Sequence, residues 1–95
     1  YINLPSTVTE IGACCWSWCP KLEVIVCNAV TPPNLNSTRV WDDCPMLRAI
    51  YVPTGSVDAY KSASTWSGKA GIIQPISSLA SNDPIIYGKI SAYLI

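Results

Sequence analysis

Short apolar tetrads, each closed by a turn-forming residue, set the rhythm of this chain. Ile2-Asn3-Leu4-Pro5, Ile25-Val26-Cys27-Asn28 and Ile50-Tyr51-Val52-Pro53 share one form, and their first residues lie 23 and 25 positions apart. Each run has strand length and strand composition, and a following proline stops a ladder because it has no amide proton to donate. The tetrads predict three short strands. Between the first two, Ile11-Gly12-Ala13-Cys14-Cys15-Trp16 carries apolar residues at helix-like or tight-turn spacing and predicts a short returning arm packed on the strands. Between the second and third, the prolines of Thr31-Pro32-Pro33-Asn34-Leu35 predict an extended, helix-poor path.

The tetrads sit inside a larger echo. Trp16, Cys19, Pro20, Leu22 and Ile25 recur 25 residues later as Trp41, Cys44, Pro45, Leu47 and Ile50. A period near 20 to 30 residues describes a unit that cannot bury its apolar face alone and must stack on its neighbours. The expected fold is therefore a repeat solenoid of α+β type, with about three short stacked strands, irregular or helical returns and a C-terminal helix cap. Trp16 and Trp41 would fill the space between the strand layer and the returning arms. The chain opens inside a repeat with no polar cap before Tyr1, which reads as the C-terminal part of a longer array whose upstream repeats cover the open end.

After the third tetrad the echo stops. Ser56 is placed to cap a helix over residues 57–63, with Asp58 in its first turn and Val57, Tyr60 and Ala63 on one face above Trp66. Residues 64–71 read as a loop, 72–76 as a short terminal strand and 77–84 as a polar linker. The apolar tail from Ile85 to Ile95 has strand composition, with Ile86, Gly88 and Ile90 on one side and Tyr87, Lys89 and Ser91 on the other. The organisation expected is repeats over 1–53, a helix-containing cap over 54–76, and a linker with a tail of unassigned role over 77–95.

Composition narrows the function. Six acidic residues balance six basic ones, so no surface is expected to track nucleic-acid phosphates. No apolar run reaches the roughly 20 residues that span a bilayer. The chain contains no histidine, which removes Ser-His-Asp and Cys-His nucleophile systems and the commonest general base. Asp42-Asp43 is the one paired carboxylate and reads as a solvated turn. The five cysteines, Cys14, Cys15, Cys19, Cys27 and Cys44, lack the paired spacing of structural zinc sites. Cys19 and Cys44 occupy equivalent positions and read as reduced core thiols about 5 Å apart, a separation that also permits a disulfide. No catalytic, cofactor-binding or metal-binding residue is assigned, and the chain is not read as an enzyme.

One family fits these residues. The segment Leu4-Pro5-Ser6-Thr7-Val8-Thr9-Glu10-Ile11-Gly12, then Trp16, Cys19 and Leu22, resembles the BspA-like class of leucine-rich repeats. Thr31-Pro32-Pro33 and the string from Ile50 through Lys61, with Trp66-Ser67 and Ile73-Gln74, look like the closing unit of such arrays. The resemblance covers about residues 1–76. Trp16 and Trp18 stand where that family usually has Phe and Gly, and the Cys14-Cys15 pair is unusual there. What the resemblance implies is a right-handed leucine-rich-repeat-like solenoid, found in secreted and surface-anchored proteins of anaerobic bacteria, some similar to adhesins for host matrix proteins or other bacterial surfaces.

The expected function is a non-enzymatic binding or adhesion module, extracellular or at the cell surface, holding a protein or glycan ligand. Alternation along the tetrads would offer Asn3, Val26 and Tyr51 outward. Trp18 joins them because its repeat counterpart is Asp43, a position not expected to be buried. The alternative is a structural repeat domain of a fibre or virion, self-assembling through the tail from Ile85 to Ile95.

Overall fold

The computed structural model describes residues 1–11, 22–35, 46–63 and 65–90. In chain order the strands are β1 (Ile2–Leu4), β2 (Glu10–Ile11), β3 (Val24–Cys27), β4 (Asn34–Leu35), β5 (Ala49–Val52) and β6 (Ile73–Pro75). The helices are α1 (Val57–Ser62), α2 (Leu79–Asn82) and α3 (Pro84–Ile90), joined by 3-10 segments at Thr54–Ser56, Trp66–Ile72 and Ile76–Ser78. One sheet has the order β1-β3-β5-β6 and the other pairs β2 with β4; every pairing is parallel. Ile2 lies beside Ile25, Ile25 beside Ile50, and Ile50 beside Ile73. The three tetrads are thus neighbours in register, and residues from beyond the echo add a fourth strand.

All eight residues of β3 and β5 are buried. Successive side chains point to opposite faces, so this sheet has two dry faces. On one, Ile25, Cys27, Ile50 and Val52 pack with Ile11, Leu22, Leu35, Ile73, Tyr60 and Trp66. On the other, Val24, Val26, Ala49 and Tyr51 pack under Leu79 and Ile90, with Ile76 and Ile86 at the margin. A strand covered on both sides reads as a continuous apolar run, and Val24-Ile25-Val26-Cys27 is such a run.

This arrangement corrects the expected solenoid. The chain forms a small α/β domain with extents of 30 × 26 × 23 Å, not a quasi-one-dimensional stack. The physical reason lies in the C-terminal third. β6 joins the sheet from outside the echo, α1 and the segment Trp66–Ile72 close one face, and α2 with α3 fold back over the face that a solenoid would leave open. Trp16, Cys19, Pro20, Trp41, Cys44 and Pro45, which carried much of the echo, lie outside the described residues.

Three local expectations also change. Residues 66–72, where the loop expected over 64–71 falls, form 3-10 turns broken at a non-helical Lys69, and are entered through Thr65 at φ 70°. The tail is helical where it is described, over Pro84–Ile90, and not a strand. Pro84 occupies the first helical position, where a missing amide proton costs nothing and a fixed φ helps. The expected linker over 77–84 is largely helical as well, with Leu79 fully buried. By contrast α1, the extended path into β4 and the short strand β6 form where the sequence puts them. Ser56 precedes α1, but its hydroxyl donates to the Val30 carbonyl at 2.7 Å and makes no cap bond.

Candidate functional site

The outward row expected to bind a ligand exists as a row: Asn3 lies beside Val26, Val26 beside Tyr51, and Tyr51 beside Gln74. It is not outward in the sense intended. Val26 and Tyr51 are 0% exposed under α2 and α3, which removes both from any surface the folded chain presents. Asn3 is half-buried, and its side-chain oxygen accepts from Asn28 Nδ2 at 2.7 Å. The same Asn28 amide donates to the Leu4 carbonyl at 2.7 Å. Trp18 lies outside the described residues. Elsewhere, Tyr60 is buried and Tyr87 is exposed.

The structure assembles two polar groupings that the sequence did not announce. The first sits where α2 meets α3. Asp83 is buried between the two helices, its amide bonded to the Leu79 carbonyl and its carbonyl to the Tyr87 amide. The Asp83 carboxylate accepts a forked pair from Arg48, at 2.5 Å and 3.3 Å, and the Tyr51 hydroxyl at 2.6 Å. Arg48 also reaches Glu23 at 3.4 Å. The Arg48 guanidinium holds the Asp83 carboxyl below the ordinary carboxylate range, against the opposing effect of burial, and the Tyr51 hydroxyl adds to the lowering. The Tyr51 phenol is pushed up by burial and by the neighbouring carboxylate. Asp83 is therefore an ion whose bonds are committed to fastening a helix pair. Beside it runs a groove of about 340 Å³ lined by Arg48, Asn82, Asp83, Pro84, Ile85 and Ile86.

The second grouping lies in the opposite core. The Tyr60 hydroxyl donates to the Ala29 carbonyl at 2.5 Å and lies 3.2 Å from Cys27 Sγ. A phenol has one proton, and the carbonyl takes it, so the thiol donates to the phenolic oxygen. Burial, then the Cys27 neighbour, pushes the Tyr60 phenol far above the ordinary range, and burial likewise raises the Cys27 thiol. Trp66 stands edge-on to Tyr60 with centroids 4.9 Å apart, and its indole N–H donates to the Pro33 carbonyl at 2.9 Å. This thiol is protonated and enclosed, the opposite of a reactive cysteine.

Among the described residues no three of His, Cys, Asp or Glu are placed to hold a metal ion. Cys14, Cys15, Cys19, Cys44, Asp42 and Asp43 lie outside them. Among the described residues no helix is long and apolar enough to cross a membrane.

One end of the molecule is built differently from the other. β1 and β2 are both terminal strands of their sheets, on the same side of their partners β3 and β4. The Leu4 carbonyl accepts from the Asn28 amide across the β1–β3 ladder. Because backbone groups alternate in direction along a strand, Asn3 turns its own N–H and C=O away from β3, along the open side. Ile2, Leu4 and Val8 are only partly buried there, and Tyr1 is half exposed. The far edge is guarded: Pro75 in β6 has no amide proton, and Gln74 accepts from Asn82 at 2.9 Å. No family model matches this chain, and no curated protein matches it.

Proposed function

We propose that this chain is a non-enzymatic interaction module of a secreted or surface protein, and that it engages a protein partner through the β1–β2 end. The observation that carries the reading is the asymmetry of the sheet edges. β6 ends in a proline and is braced by α2, whereas β1 offers aliphatic side chains and outward backbone groups with no charge, proline or bulge within Ile2–Leu4. Natural edge strands are ordinarily blunted by such devices, and an unblunted edge suits an extended segment, from a protein partner or from upstream repeats of the same chain, that adds as a further strand. Edge pairing is a backbone interaction, which favours a protein over a glycan. The likeness of residues 1–76 to BspA-like proteins supports the extracellular, adhesive setting; the architecture is the layered one described above.

Selection of displayed decapeptides on the immobilised chain tests the reading. Extended peptides with alternating aliphatic residues should be enriched. Their binding should survive Asn3→Ala and be lost in Asn3→Pro, which removes the outward amide proton while leaving Leu4 bonded to Asn28. Binders indifferent to Asn3→Pro, or enrichment confined to glycan probes, would refute it.

A further inference from the structure

Among the described residues, everything that covers the Val24, Val26, Ala49 and Tyr51 face comes from a single segment. Ile76, Leu79, Ile86 and Ile90 supply its apolar contacts, and Asp83 supplies its charge. The other face draws its cover from α1, from Trp66 and from residues spread over the rest of the chain. Lifting residues 76–90 would therefore bare one face and leave the opposite core closed. The covering helices have four and seven residues, far below the length at which a helix holds itself together in water. They exist because the face organises them.

The contacting positions form a code. Leu79 lies on α2, Ile86 and Ile90 lie one turn apart on α3, and Asp83 sits at the non-helical junction between the two helices, at φ −138° and ψ 66°. The face answers each element: an apolar floor for the aliphatics, and the Arg48 guanidinium with the Tyr51 hydroxyl for the carboxylate. The segment's other charge, Lys89, is exposed and takes no part.

We propose that this face is a binding site for a segment of another protein that folds as two short helices hinged at an aspartate, with the pattern Leu-x3-Asp-x2-Ile-x3-Ile, and that residues 76–90 occupy it in cis as an exchangeable, autoinhibitory cover. The site is distinct from the β1–β2 end and stands or falls separately from it. Segments held by a small apolar patch and one ion pair open more readily than the domain unfolds, which is what exchange requires.

Two measurements on the full chain decide the matter. In native-state hydrogen exchange, the amides of Asp83 and Tyr87 should open with a lower free energy and a smaller denaturant slope than those of β3 and β5. A common free energy and slope for both sets would mean that the cover leaves only on global unfolding, and would overturn the proposal without any variant being made. In a titration with a fluorescent peptide of residues 76–90, the Asp83→Asn chain should bind roughly ten- to a hundred-fold more tightly than the unaltered chain, because its own cover has lost bonds to charged groups. The same peptide carrying Asp83→Asn should lose that gain. Equal affinity of both chains, or no dependence on the peptide's aspartate, would refute the site. Sedimentation of the Asp83→Asn chain alone distinguishes the occupant: a monomer agrees with a foreign segment, whereas a dimer by exchange of residues 76–90 would overturn that assignment in favour of a second copy.

Discussion

Removing one oxygen from the core, by Tyr60→Phe, tests the account of the Tyr60–Cys27–Ala29 grouping. The ring stays, so its edge-on packing with Trp66 at 4.9 Å is retained and no cavity larger than a hydroxyl opens. The Ala29 carbonyl, in a residue only 3% exposed, loses the donor at 2.5 Å. Leaving a buried acceptor unpaired costs about 1–3 kcal/mol. The Cys27 thiol also loses its acceptor, a weak bond that adds little. In a domain of this size each kcal/mol lowers Tm by about 4–8 °C, so a fall of at least ~4 °C is expected. Urea unfolding should show a lower midpoint with an unchanged slope. Alkaline titration gives a second reading. The folded-state phenol is raised, so its contribution is full below the unfolded value near pH 10 and is lost as pH rises beyond it. Tyr60→Phe should flatten that alkaline fall, leaving the part due to Tyr51. A loss below about 0.5 kcal/mol would refute the reasoning, because it would mean that the Ala29 carbonyl is satisfied without the phenol.

Trp66→Ala removes the largest fully buried side chain among the described residues together with the bond to Pro33; a loss of about 3–5 kcal/mol is expected, a large share of a small domain's stability, and circular dichroism at 37 °C should show substantial unfolding. Asp83 has a folded-state pKa below its unfolded value, so its stabilisation is present above about pH 4 and is lost as pH falls through the folded value. Acid unfolding of Asp83→Asn should therefore be shallower than that of the unaltered chain, by an amount reduced because Arg48 is half exposed and screened. Thr65 holds a β-branched side chain at φ 70°, and Thr65→Gly should raise Tm, since relief of a left-handed conformation is worth about 1 kcal/mol; an unchanged or lower Tm would mean that the hydroxyl's contacts outweigh the strain.

The sequence disclosed the strands more readily than what lies on top of them. The recurring isoleucines announced a parallel register, and Ile2, Ile25 and Ile50 do lie side by side. What misled was the reading of Val26 and Tyr51 as outward. A sheet with one wet face alternates apolar and polar residues, whereas Val24-Ile25-Val26-Cys27 and Ala49-Ile50-Tyr51-Val52 contain no charged position. That unbroken run was the available signal for a second cover. The cover itself was hard to read because Ile86 and Ile90 share a side in a strand and in a helix alike. Pro84 after Asp83, and Leu79 four residues before Asp83, carried the helical hint. The Arg48–Asp83 and Tyr60–Cys27 groupings join residues 35 and 33 positions apart, and nothing local in the sequence links them.

The sheet order β1-β3-β5-β6 is also the order in which the strands leave the ribosome. Each new strand can dock on its predecessor, yet neither face of the growing sheet is sealed until Trp66, Leu79 and Ile90 arrive. At about 5–20 residues per second, the Val24–Cys27 strand waits on the order of seconds with its valines bare, and a nascent chain stalled before residue 66 would present the cell with a sticky, half-dressed sheet.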